Sequence, residues 1–122
     1  MGYKIQSIPL VDFSATINPT GLTSITVLYA VYRRLSGNLY NIAFAFQGTS
    51  NATTMACTLP VVAAYTETFM VRVMDNGSYI STGIMITSAG SATANFYATA
   101  ATGAFTASGN KRVNTVNVMV TT

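Results

Sequence analysis

Three carboxylates (Asp12, Glu67, Asp75), one thiol (Cys57) and no histidine are the groups this sequence offers for proton transfer, covalent attack or metal binding. A glycosidase would need two carboxylates across one bond, yet Asp12 and Glu67 stand in unrelated segments. Asp75 opens the run Asp75-Asn76-Gly77-Ser78, where an aspartate commonly hydrogen-bonds its own backbone. Metal sites need clustered Cys, His or carboxylate ligands, and neither a D-x-D loop nor a Cys/His pair occurs. Ser–Lys catalysis needs a lysine buried beside a serine, whereas Lys111 follows Ser108-Gly109-Asn110 and is expected in a solvated turn. Glycine-rich phosphate loops are absent, and Asn51-Ala52-Thr53 and Asn76-Gly77-Ser78 match the N-glycosylation pattern at a length that arises by chance. The expectation is a non-enzyme with no catalytic residues, no metal and no cofactor.

Sugar recognition is the remaining chemistry, because aromatic faces beside amides grip sugars on shallow surfaces. Of seven tyrosines, Tyr79 lies close to an amide, Asn76. These two are the candidate glycan-binding residues; the plainer reading packs tyrosines in sheets or at subunit contacts with their hydroxyls outward. Cys57, the single cysteine, forms no intramolecular disulfide and sits in an apolar segment as a buried structural thiol.

The elements that must position these residues are strands, marked by period-two alternation and β-branched enrichment between turn clusters. Val11, Phe13, Ala15 and Ile17 alternate with polar residues up to Asn18-Pro19-Thr20-Gly21, and Ile25 to Tyr32 forms a long second strand. Ser36-Gly37-Asn38 turns into a third strand carrying Tyr40, Ile42, Phe44 and Phe46, ended by a turn at Gly48 to Asn51. Thr53, Met55, Cys57 and Leu59 form a fourth, stopped by Pro60, which has no N–H to donate. After a loop from Val61 to Thr66, a fifth strand carries Phe69, Val71 and Val73, turns at Asp75 to Ser78, and returns through Ile80, Thr82, Ile84 and Ile86. Ala92, Ala94, Phe96 and Ala98 give a seventh strand, and Val116, Val118 and Val120 an eighth. Eight short strands without helical periodicity predict an all-β, eight-stranded antiparallel β-sandwich of jelly-roll type, one domain over residues 1–122. An immunoglobulin-like sandwich competes, weakened by the missing tryptophan and disulfide pair.

Half of the residues are hydrophobic and 7% are charged, against about 25% charged in an average soluble domain. Such a chain is expected to bury much of its outside against copies of itself or other proteins. Membrane insertion is not expected, because the uncharged stretches Leu35 to Thr66 and Tyr79 to Asn110 are broken by Gln, Gly, Asn and Pro or Ser. Met1 to Leu10 lacks the continuous apolar core of a signal peptide. The net charge is +3, but four of the six cations form two pairs, Arg33-Arg34 and Lys111-Arg112, expected at solvated strand ends. Without a basic and aromatic stripe, nucleic acid is not an expected partner. Two strands look apolar on both faces: Leu28, Ala30 and Tyr32 oppose Ile25, Val27, Tyr29 and Val31, while Met70 and Met74 oppose Phe69, Val71 and Val73. A lone sandwich leaves one face of each strand solvated, so Leu28, Tyr32, Met70 and Met74 are the candidate oligomer contacts.

The run "LSGNLYNIAFAFQGTSNATTMACTLPV", then "TFMVRVMDNGSYISTGIMIT" and "FTASGNKRVNTVNVMV", resembles the jelly rolls of tailed-bacteriophage virion proteins over about residues 35 to 120. In that family a Gly-Asn turn opens a strand, a Gly-Thr-Ser turn follows, and a strand ends in Leu-Pro. The resemblance implies a homotrimer on the virion, either decorating the capsid beside other virion proteins or forming the head of a tail fibre that meets a host-surface glycan. It carries over no catalytic or receptor residue. A fibre head usually follows a stalk, whereas this chain begins at Met1, so the capsid exterior is the expected place, with residues 1–10 (Ile5, Ile8, Pro9 and Leu10 among them) as an attachment arm.

Overall fold

The computed structural model describes residues 8–50 and 52–122. Most of the expected arm and the Asn51 glycosylation match therefore lie outside the described residues; Ile8 and Leu10 are exposed. The strands are β1 (Val11–Asp12), β2 (Leu22–Ser36), β3 (Leu39–Ser50), β4 (Met55–Thr58), β5 (Glu67–Met70), β6 (Arg72–Asp75), β7 (Ser78–Ile80), β8 (Ile84–Thr87), β9 (Thr93–Tyr97) and β10 (Asn110–Thr121). No helix occurs among the described residues, and the strands form two antiparallel sheets. One has six strands, in the order β1-β2-β3-β10-β6-β7; the other has four, in the order β4-β9-β8-β5. The all-β expectation holds, with ten strands among the described residues in place of eight.

The extra strands arise where the chain passes from one sheet to the other. The expected fifth strand breaks at Val71 into β5 and β6, and its return strand breaks at Ser81 to Gly83 into β7 and β8, so this hairpin contributes to both sheets. At the crossing Val71 N–H donates to the Gly83 carbonyl at 3.0 Å. A Cβ on Gly83 would lie 2.8 Å from the Val71 carbonyl oxygen and collide with Val73, so the close approach needs glycine. The turn joining β6 to β7 is as expected: Asn76 (φ 48°) and Gly77 (φ 80°) both take positive φ, the conformation that a two-residue I′ hairpin demands.

The first expected strand is cut short, because Ser14 N–H donates to Asp12 Oδ1 at 2.7 Å and turns the chain after two residues. Thr16 and Ile17 N–H then donate to the Phe13 carbonyl. This turn, rather than alternation, brings Phe13 and Ile17 both into the core. The turn expected at Gly48 to Asn51 instead continues β3 to Ser50, paired with β2 on one side and β10 on the other.

The core lies between the sheets. Phe44 and Phe46 on β3 stack in parallel at 6.1 Å, and Phe96 on β9 meets them edge-on at 6.2 and 5.8 Å. The cluster draws on both sheets, with Met55 and Cys57 of β4, Met85 of β8 and Val113, Val116, Val118 and Val120 of β10. Burial of each such side chain contributes roughly 1.5–3 kcal/mol relative to exposure.

Bulges alter which residues face this core. Tyr29 pairs with Ala45 and Val27 with Phe46, so Leu28 is an extra residue on β2. Alternation reverses there, and Val27, Ala30 and Tyr32 all reach the cluster. The two-faced appearance of Ile25 to Tyr32 is thus partly a bulge, leaving Ile25, Leu28 and Tyr29 exposed. A second bulge lies on β10, where Asn114 and Thr115 (φ 46°) stand opposite Ala45 alone.

Candidate functional site

The most connected polar group sits at one end of the six-stranded sheet, facing inward. Lys111 on β10 is 1% exposed, and its Nζ lies 2.6 Å from Asp75 Oδ1 on β6. It also donates to the carbonyls of Thr106 (2.8 Å) and Ser108 (2.9 Å). Asp75 accepts in addition from Thr106 N–H (3.1 Å to Oδ2) and Thr106 Oγ1 (2.8 Å). Two expectations are corrected here. Lys111 is buried rather than solvated, because the segment from Thr106 to Gly109 folds over it. Asp75 ties the hairpin to that segment instead of bonding its own turn. Burial raises the Asp75 carboxyl, but the Lys111 and Thr106 bonds and the Lys111 charge outweigh it and hold it below the usual carboxylate value. Since the Lys111 ammonium is paired with Asp75 and bonded to two carbonyls, the group acts as a staple.

The opposite, outward face of the same strands is open. Register places Gln47 of β3, Arg112 and Asn114 of β10, Arg72 and Met74 of β6 and Tyr79 of β7 on it. On one side of β6 a depression of about 290 Å³ is lined by Ser24, Gln47, Thr49, Met74, Asn110 and Arg112. On the other side a shallower groove of about 530 Å³ is lined by Met70, Arg72, Tyr79 and Ser81. The Arg72 guanidinium lies 4.0 Å over the Tyr79 ring, a cation–π contact that occupies one face of it. Nε of Arg112, like that of Arg33, is closed to solvent without a hydrogen-bond acceptor.

The sequence candidates distribute unevenly over this surface. Tyr79 is exposed, while Asn76 lies in the hairpin turn against Gly109 and lines neither depression. Of the two glycan candidates, Tyr79 lines a depression and Asn76 does not. Met70 is 83% exposed on the outer face of the four-stranded sheet, and Met74 is half-buried on that of the six-stranded sheet. Leu28 is exposed at its bulge, but Tyr32 turns inward, edge-on to Phe13 at 5.9 Å. In the sequence Arg112 reads as part of a solvated strand end and Arg72 as no site residue; only their outward register distinguishes them.

The remaining reactive groups are dispersed. Asp12 is on β1, Glu67 on β5 and Asp75 on β6, and no group of three metal-ligating side chains occurs among the described residues. The Ser14 backbone bond holds Asp12 below its ordinary value. Cys57 is buried in the core, and burial pushes its thiol up, the opposite of what a nucleophilic thiolate needs. Cys57→Ser should therefore cost about 1–3 kcal/mol, the penalty of placing a hydroxyl there, with no change in the oligomeric mass measured by light scattering. Loss of assembly without loss of stability would contradict this assignment.

Comparison with known proteins gives no lead. The chain matches no protein-family model, no curated protein and no solved structure.

Proposed function

We propose that this chain is a structural protein of a tailed-bacteriophage virion, a jelly-roll trimer that decorates or cements the capsid exterior. The observation that carries the reading is apolar surface beyond the reach of the chain's own core: Ile25, Leu28 and Tyr29 at 40%, 41% and 38% exposure, Met119 at 51% and Met70 at 83%. Ile25, Leu28 and Tyr29 fall within one stretch of β2, Met119 is on β10 and Met70 stands on the other sheet, and few charges are present to keep such side chains in water. The jelly-roll assignment is supported by connectivity. The last strand, β10, lies between β3 and β6 in one sheet, while β9 lies between β4 and β8 in the other, as successive strands do when two Greek keys wrap a sandwich. Three copies rather than two follows from the family resemblance alone. The reading assigns the chain no catalysis and no cofactor.

The test uses heads stripped of the protein. The purified chain is expected to run as a trimer by light scattering and to co-sediment with those heads; a stable monomer at micromolar concentration that stays in the supernatant would overturn the proposal. A second reading, the receptor-binding head of a tail fibre, is favoured by the arginine- and tyrosine-bearing outer face. It predicts instead that the protein adheres to host cells and blocks phage adsorption.

A further inference from the structure

The outer face of β10, β6 and β7 carries positive charge that no acid balances. The ion pair Lys111–Asp75 lies on the inward side of the same strands and neutralises itself. Glu67 belongs to the four-stranded sheet and Asp12 to the far edge strand β1. Arg72 and Arg112 stand on neighbouring strands two registers apart, since Arg112 pairs with Met74 and Asn114 with Arg72. No carboxylate lines either depression beside them.

Within the first depression Arg112 is distinctive. Its side chain lines the depression, and because its Nε is closed to solvent, as that of Arg33 is, a ligand there meets the Nη end of the guanidinium. Lys111 also borders the depression, but its ammonium is fully engaged with Asp75, Thr106 and Ser108. The anion-binding capacity therefore rests on Arg112. Around it are two amides, Gln47 and Asn110, two hydroxyls, Ser24 and Thr49, and the apolar Met74. A bare inorganic anion asks only for donors. Amides and hydroxyls both donate and accept, which suits a ligand carrying several hydroxyls as well as a charge. The volume, at the lower end of the roughly 300–1,000 Å³ range of ligand pockets, suits a single ring.

We propose that this depression binds one acidic sugar residue. Its carboxylate lies end-on against the two Nη groups of Arg112, whose planar geometry matches two carboxylate oxygens, and its ring hydroxyls meet Gln47, Asn110, Ser24 and Thr49. The adjoining groove with Arg72 offers a second guanidinium to the next residue of a longer acidic glycan. This site goes beyond the capsid reading and is tested separately from it.

The experiment is an NMR titration of the isotope-labelled full chain with sodium D-glucuronate, alongside methyl β-D-glucoside and inorganic phosphate. Saturable shifts of the Arg112 Nε–H and of the Gln47, Thr49 and Asn110 amides are expected with glucuronate, and weaker or none with the other two. Arg112→Gln should weaken glucuronate by about tenfold or more, the loss expected for hydrogen bonds to a charged group. Gln47→Leu, on the outer face and away from the core, should weaken it less while leaving the folded spectrum intact. Absence of saturable glucuronate shifts, equal binding of the neutral glucoside or of phosphate, or undiminished binding in both variants would each overturn the proposal.

Discussion

Asp75→Ala is expected to lower the unfolding free energy by about 3–5 kcal/mol, the cost of removing one partner from a buried ion pair, and Lys111→Met by clearly less. The asymmetry follows from burial. Lys111 is 1% exposed and the Asp75 side chain 11%, so deleting the carboxylate strands an ammonium inside the protein. It also removes the acceptor of Thr106 N–H and Oγ1. Deleting the ammonium leaves a carboxylate that keeps both Thr106 bonds and some contact with water. The double variant should recover much of the Asp75→Ala loss, because a neutral methionine in place of Lys111 has no charge to strand. Urea unfolding at neutral pH measures all three, and a Lys111→Met loss as large as that of Asp75→Ala would refute the argument.

The same pair sets a pH dependence. The folded-state pKa of Asp75 lies below its ordinary 3.8, so its contribution is present in full above that value. It is lost as pH falls through the folded value, because the unfolded chain takes up the proton first. The parent should therefore lose stability below about pH 4, and Asp75→Ala should show a flatter profile there.

How much of this was legible in the sequence depends on where the chain departs from simple alternation. The Asn76-Gly77 hairpin could be read because its turn chemistry is local, and the all-β class because strand patterning runs through the whole chain. The inward Lys111 could not. Counting back by twos from Val116, Val118 and Val120 puts Arg112 inside and Lys111 outside; the bulge at Asn114 and Thr115 reverses this, and neither is a glycine that would announce it. Leu28 hides a reversal on β2 in the same way. The split at Val71 was concealed because Phe69, Val71 and Val73 keep one alternation while the chain passes between sheets. It follows that Met70 and Met74, neighbours on one face in the sequence pattern, lie on different sheets. Of the site, Tyr79 was found from its type, whereas Arg72 and Arg112 owe their place to a register fixed by long-range pairing.

Phe44→Ala is expected to cost about 3–5 kcal/mol, at the upper end for large-to-small core changes. Phe44 is fully buried, and its ring contacts three others: Phe13 from the turn after β1, Phe46 on its own strand and Phe96 on the opposite sheet. The cavity cannot close easily, because β3 is paired along its length with β2 and β10, which fixes the backbone on both sides. A chain of this length has roughly 6–18 kcal/mol of total stability at about 0.05–0.15 kcal/mol per residue, so the loss is a large fraction of the whole. Phe44→Leu keeps most of the volume and should cost markedly less, since the surviving methyl groups still touch Phe96 across the sheets. Chemical denaturation of the two variants measures the difference. A Phe44→Ala loss under about 0.5 kcal/mol, the size of a surface change, would mean that the two sheets are not joined through this ring.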